Sequence, residues 1–178
     1  MSSFLLPDIF AIYFQGFKVF FMLGKLNDNE IEKLLGSQVI GRLGCHADGK
    51  IYVLPISYAY DGRYIYCHTE EGMKINIMRS NPDVCFQVDK MHSMANWQSV
   101  IVWGSFEELK DEQARNEALK ILTGRALPIL SSETTHLFPH WPFPSEDLGT
   151  IGGIVFRILP TEKTGRFESN QQSTHFNV

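Results

Sequence analysis

The chain has 178 residues, enough for one domain with its own core and short for two. Its 44% hydrophobic and 20% charged composition is that of a globular protein. A net charge of −4, a pI near 5.8 and no Lys/Arg-rich run exclude a general nucleic-acid-binding role.

Residues 1–23, MSSFLLPDIFAIYFQGFKVFFML, are broken by Pro7, Asp8, Gln15 and Lys18. A membrane span needs about 20 consecutive apolar residues, so none is expected here. The stretch also lacks the basic start and small-residue cleavage site of a secretory signal. It reads as an N-terminal extension that packs as an extra element, lies at a membrane interface, or precedes a natural start at Met22. A single domain is expected over residues 24–167, followed by a polar tail at 168–178.

Asn27-Asp28-Asn29-Glu30 ahead of Ile31, Leu34 and Leu35 predicts a capped short helix with one apolar face, ending at Gly36-Ser37. Val39–Cys45 reads as a strand, and Ala47-Asp48-Gly49-Lys50 as a hairpin turn. The next strand, IYVLPISYAY at 51–60, alternates Ile51, Val53, Pro55, Ser57 and Ala59 against Tyr52, Leu54, Ile56, Tyr58 and Tyr60. Pro55 has no N–H for a ladder, so it marks an edge, a bulge or an opening of the sheet. After an Asp61-Gly62 turn, residues 63–69 return as a third strand.

A helix is expected at 73–80, closed by Asn81-Pro82, and a fourth strand through Val84, Phe86 and Val88. Lys90–Gln98 reads as a polar, Met-rich connection. Residues 99–109 read as a fifth strand bent at Gly104, and 111–123 as a helix capped by Asp111. The stretch 126–149, rich in Pro and aromatics, is expected to be an irregular functional or interface loop. Residues 151–159 form a last strand. Closely spaced antiparallel strands with helices between groups predict a mainly β, α+β fold: a small antiparallel barrel with accessory helices.

The three cysteines Cys45, Cys67 and Cys85 lie in strand-like segments without a C-x-x-C, and read as small buried hydrophobes of a reducing, cytoplasmic environment. No metal-ligand spacing, Walker loop or G-x-G-x-x-G appears. The stretch IYCHTEEGMK at 65–74 carries the most chemistry. A strand delivers His68 and Thr69, Gly72 permits close approach, and Lys74 falls in the first turn of a helix. Exposed N–H groups there favour an anion, so the junction is either a single-phosphate cradle or an ordinary capped turn. Glu70 and Glu71 must splay away for the first reading to hold.

Taken in order, LGCHADGK at 43–50, VLPISY at 53–58, YIYCHT at 64–69, Gly72-Met73-Lys74, NPDVCF at 81–86, SVIVWG at 99–104 and KTGR at 163–166 resemble the pyridoxamine 5′-phosphate oxidase-like, FMN-binding split-barrel family. The His68-Thr69 pair ahead of Gly-x-Lys is most similar to the 5-nitroimidazole-resistance type. The resemblance implies a split β-barrel and a homodimer with FMN between subunits. Pro55, Ile56, Ser57 and Tyr58 would run along the flavin ring, with His68, Thr69, Met73 and Lys74 around the ribityl phosphate. Trp97, Ser99 and Val100 would come from the partner subunit, and His68 would be the candidate for chemistry. It implies an oxidoreductase acting on a small planar substrate. A non-catalytic flavin or haem binder, or a deazaflavin enzyme, are the alternatives. The substrate-phosphate arginines of the oxidase itself are not recognisable.

Overall fold

The computed structural model describes residues 8–14, 17–125 and 151–172. Every strand pairing within it is antiparallel. The elements are β1 (Asp8–Phe14), β2 (Phe17–Lys25), α1 (Asp28–Ser37), β3 (Ile40–Ala47), β4 (Lys50–Tyr60), β5 (Ile65–Thr69), α2 (Met73–Ser80), β6 (Asp83–Ser93), β7 (Asn96–Glu108), α3 (Glu112–Thr123) and β8 (Ile154–Gln172). Strand order is β1-β2-β8-β5-β4-β3-β6-β7, and a further β7–β8 pairing closes the last six into a ring. The ring is split at one seam, because β4 and β5 share only Tyr58↔Cys67, Ala59↔Tyr66 and Tyr60↔Ile65. This is the expected split barrel.

Local chemistry accounts for most of the elements. Asn27 and Glu30 form the capping box of α1: Glu30 N donates to Asn27 Oδ1 at 3.0 Å and Asn27 N to Glu30 Oε2 at 2.8 Å. Asp111 caps α3 by accepting from Ala114 N at 2.9 Å. The β3–β4 hairpin turns on Asp48 (φ 52°) and Gly49 (φ 75°), whose twist suits a two-residue connection.

Two cores result from the alternation of side chains. Inside the ring, Leu43, Tyr58, Phe86, Val100, Phe156 and Ile158 are fully buried, and α1 seals them with Ile31, Leu34 and Leu35. Tyr58 meets Phe86 edge-on, with centroids 5.0 Å apart, and its hydroxyl donates to Leu35 O at 2.7 Å. Outside the ring, Ala59, Tyr66 and Val155 pack against Ala118, Leu119 and Leu122 of α3.

Two sequence expectations change. Lys90–Gln98 is not a loose connection; the β6–β7 ribbon pairs out to Ser93↔Asn96. The last strand does not stop at 159, and 168–172 is not tail but strand, because β8 continues against β7 and then β2. Residues 8–25 form a hairpin on that edge of β8, the extra packed element among the readings of this stretch. The helix end expected at Gly36-Ser37 holds, since α1 runs to Ser37. The segment 126–149 lies outside the described residues.

Gly104 sits where the β7–β8 register slips, opposite Pro160, with Thr161 bulged out and its hydroxyl donating to Trp103 O at 3.1 Å. Pro160 has no N–H to give, so the slip spares the ladder an unmade bond. A Cβ on Gly104 would lie 2.4 Å from Leu159 O, a backbone atom that cannot step aside. Gly104→Ala should therefore lower stability by about 2–3 kcal/mol in urea unfolding. Gly36→Ala, with nothing within 4 Å of the new methyl, should raise it by roughly 0.5–1 kcal/mol.

Candidate functional site

The seam is where the sequence and the ladder disagree. Tyr58 N donates to Val39 O at 3.0 Å, so the even-numbered positions of β4 bond to β3. By alternation the backbone of Val53, Pro55 and Ser57 faces the other edge, where β5 has turned away. Pro55 therefore stands at a position whose missing N–H costs no bond, and the predicted opening lies beside it. On the far side of the seam, His68 and Thr69 pair only with Val155 and Ile154 of β8.

Beyond Thr69 the chain enters α2. Among the described helices it is the one that starts without a side-chain cap: Gly72 can offer none. Its first-turn N–H groups and Lys74 form a positive end at the mouth of the seam. Lys74 lies near Cys45 of β3; burial pushes that thiol up and the Lys74 charge opposes it. The two glutamates do not crowd this end. Arg79 holds Glu71 through both oxygens, at 2.7 and 3.2 Å, and also reaches Glu108 at 2.8 Å, while Glu70 is exposed.

His68 projects from the outer side of β5. Its Nε2 lies 2.8 Å from Gly152 O. A carbonyl can only accept, so Nε2 carries the proton and Nδ1 is left as an acceptor in the neutral ring. Burial lowers the His68 pKa, the Gly152 carbonyl and Glu70 raise it, and the charges of Arg115 and Arg125 lower it; the net direction is down. Gly153, at φ 73°, is needed here: a Cβ would lie 2.8 Å from His68 Nε2. Arg115 fixes this turn by donating to the carbonyls of Ile151, Gly152 and Gly153.

The predicted residues divide in three. Pro55, Ser57, His68, Thr69, Met73 and Lys74 gather around the seam, with Met73 exposed at its mouth. Ile56 and Tyr58 belong to the seam strand, yet their side chains point into the barrel core. Trp97, Ser99 and Val100 lie on β7, away from the seam of their own chain. Val100 is corrected outright: its side chain is fully buried in the core, and strands flank it on both sides through Val88 and Gly165. It has no group left to present to a ligand. Trp97 Nε1 donates to Glu168 at 3.0 Å, and Ser99 Oγ accepts from Gln87 Nε2 at 3.1 Å.

Two groups at the seam carry no partner. Among the described residues, the buried side-chain polar atoms without a hydrogen bond are Ser57 Oγ and Arg125 Nε. Arg125 Nη1 donates at 2.8 Å to Tyr58 O, the carbonyl of the residue after Ser57. Burial lowers the Arg125 pKa to about 10, which leaves it charged at neutral pH. Sequence reading missed Arg125 and Arg115, and no local pattern marks them: their partners are carbonyls 67 and 36 to 38 residues away.

Residues 27–167 match the family model described as pyridoxamine 5′-phosphate oxidase. A FAD-binding protein from Mesorhizobium loti has a similar structure, with 34% identity and a TM-score of 0.63 over 82% of this chain and 97% of that one. So does a FAD-binding protein from Mycobacterium smegmatis, at 27% identity and a TM-score of 0.58 over 81% and 98%. A candidate 5-nitroimidazole antibiotic resistance protein from Bacteroides thetaiotaomicron shares the fold at 16% identity, with a TM-score of 0.63 over 96% and 98%. The split ring, the Pro55 seam and the match over 27–167 agree, and the chain belongs to the pyridoxamine 5′-phosphate oxidase family.

Proposed function

We propose that the protein is a flavin-dependent oxidoreductase, with the flavin seated in the β4–β5 seam. The observation that carries this reading is the seam itself, in which the open backbone edge of Val53 to Ser57 meets an uncapped, positively charged helix start. A flavin's fused ring has a polar edge with both donors and acceptors, and needs such mixed groups along one side. Its first phosphate suits Thr69, Lys74 and the N–H groups that open α2. Bound there, the flavin would supply the electron-accepting ring; the chain would bind it, orient it and limit water. His68, with Nε2 committed to Gly152, could hold a proton only at Nδ1.

These features address the ring and first phosphate, which FMN and FAD have in common. FMN was the expectation from the sequence. The FAD-binding relatives at 34% and 27% identity favour FAD instead.

The partner in this reading is a second copy of the chain. Val53, Gly44, Cys85 and Trp103 lie side by side across four strands, on the outer face that borders Pro55. Val53 is 63% exposed, Trp103 41% and the adjacent Ile51 82%, an exposed apolar strip of the kind that marks a contact site. A partner seated there would also shield the mouth of the seam. A flavin carrier without turnover is the second reading, favoured by the engagement of His68 with a structural carbonyl.

Purified protein should be yellow, and mass spectrometry of the released compound should give FAD or FMN; a colourless protein that ignores both would overturn the proposal. Lys74→Ala should weaken flavin binding about tenfold or more by fluorescence titration. Val53→Glu should convert the dimer to monomer in light scattering. Stopped-flow reduction by NADH or NADPH separates the enzyme from the carrier.

A further inference from the structure

The flavin reading uses the inner length of the seam and the start of α2. It leaves a group of side chains at the closed end, on the outer face beneath α3. Ser57 is two positions from Ala59, whose side chain packs on α3, and so points to that same face. His68 lies one step beyond the last β4–β5 pairs, across from Ser57, and its neighbour-but-one Tyr66 also packs under α3. Arg125 follows α3 and binds the carbonyl of Tyr58 with one nitrogen only. The Arg125 charge also acts on His68, so Arg125, His68 and Ser57 belong to one corner of the fold.

Three features make this corner a recognition site rather than a packing accident. The only buried side-chain polar atoms without a partner among the described residues both fall here, on two elements far apart in sequence. A buried, unpaired donor on a cation costs more than an unpaired neutral group, so the fold is least stable where this corner is empty. Among the described residues the charge is also unbalanced. Arg115 and Arg125 are cationic, Arg115 is occupied by the carbonyls of residues 151–153, and the carboxylate that acts on His68 is the exposed Glu70 on the rim.

We infer that Arg125, with Ser57 and His68 beside it, is a carboxylate-recognition subsite at the closed end of the seam, so that the substrate is a small anionic acid rather than a neutral ring compound. The Arg125 guanidinium takes one carboxylate oxygen through Nε–H, and Ser57 can donate to the other. His68 Nδ1 is left to accept a donor from the body of the substrate. The inference adds a substrate class to the flavin reading, but the groups it uses are not those given to the flavin phosphate.

The test is calorimetric titration of the flavin-free and flavin-loaded protein with benzoate, and with benzamide as the uncharged isostere. Benzoate should bind and benzamide should bind at least about tenfold more weakly. Arg125→Gln should weaken benzoate about tenfold or more and leave benzamide unchanged, while Arg125→Lys should recover part of the loss. Retained flavin and an unchanged circular dichroism spectrum would show that each variant is folded. If Arg125→Gln does not fold, Ser57→Ala provides the same test, with a several-fold loss for benzoate and no loss of thermal stability. Equal binding of benzoate and benzamide, or equal benzoate affinity in the wild type and the folded variants, overturns the inference. So does the absence of benzoate binding at millimolar concentration. Loss of flavin binding in Lys74→Ala with benzoate binding intact would separate the two sites; a protein that binds benzoate and no flavin would sink the flavin reading alone.

Discussion

The structure depends on one short ladder. β4 and β5 hold each other for three residue pairs and then part, and the ring exists as a split barrel because they part there. Both strands contribute a reason. Pro55 cannot donate on the edge that would have faced β5, so continuing the ladder would gain fewer bonds on that side. β5 ends at Thr69 because the chain turns through Gly72 into α2. The closed end must then be held firmly, and it is. Tyr58 anchors on Leu35 O, and Tyr60 donates to Glu32 at 2.6 Å, with Lys163 of β8 bound to the same carboxylate. Two strands pinned together at one end and parted at the other leave a gap whose walls are strands: β4 held by β3, and β5 held by β8.

The polar inventory of the cleft follows from that geometry. Ending a ladder early leaves backbone groups facing outward, and burying its closed end under α3 leaves Ser57 and Arg125 short of partners. Each is a cost on the ledger of stability, of the kind a native fold retains where a ligand makes the missing bond. His68 is the opposite case. Its Nε2 is satisfied by Gly152, Gly153 leaves it room, and Arg115 holds the turn in place. The histidine that stands out in the sequence is thus the residue most constrained by its surroundings, and the arginine that does not stand out is the least satisfied.

That contrast marks how far the sequence could be read. Pro55 in a strand and Asn27 and Glu30 three apart express their meaning within a few residues, and the structure places them as expected; Thr-x-x-Gly-x-Lys falls at the strand-to-helix junction where it was read. Val100 did not, because a position in an ordered motif says nothing about which side of a strand ends up inside; burial in the barrel decided that. The extent of β8 was hidden as well. Residues 168–172 look polar and tail-like, and become strand because β2 pairs with them past the last β7 partner at Glu168. Arg125 was illegible for the same reason on a larger scale, since its meaning lies in a carbonyl 67 residues away.

The outer face completes the logic of the cleft. A seam open along Val53–Ser57 exposes one strand edge and the apolar strip beside it together, because both lie on the same stretch of β4. Gly44 sits in the middle of that strip, between Val53 and Cys85, and leaves a shallow notch; a Cβ there would only just touch Cys85 O at 3.4 Å. A second copy covering the strip would therefore meet a flat, indented apolar surface and approach the mouth of the seam in the same step. Cleft and contact face are one consequence of β4 leaving β5. A change that extended the β4–β5 ladder past Tyr58 would close the seam and alter the apolar strip beside it at once, so the proposed binding and the proposed association would be lost together.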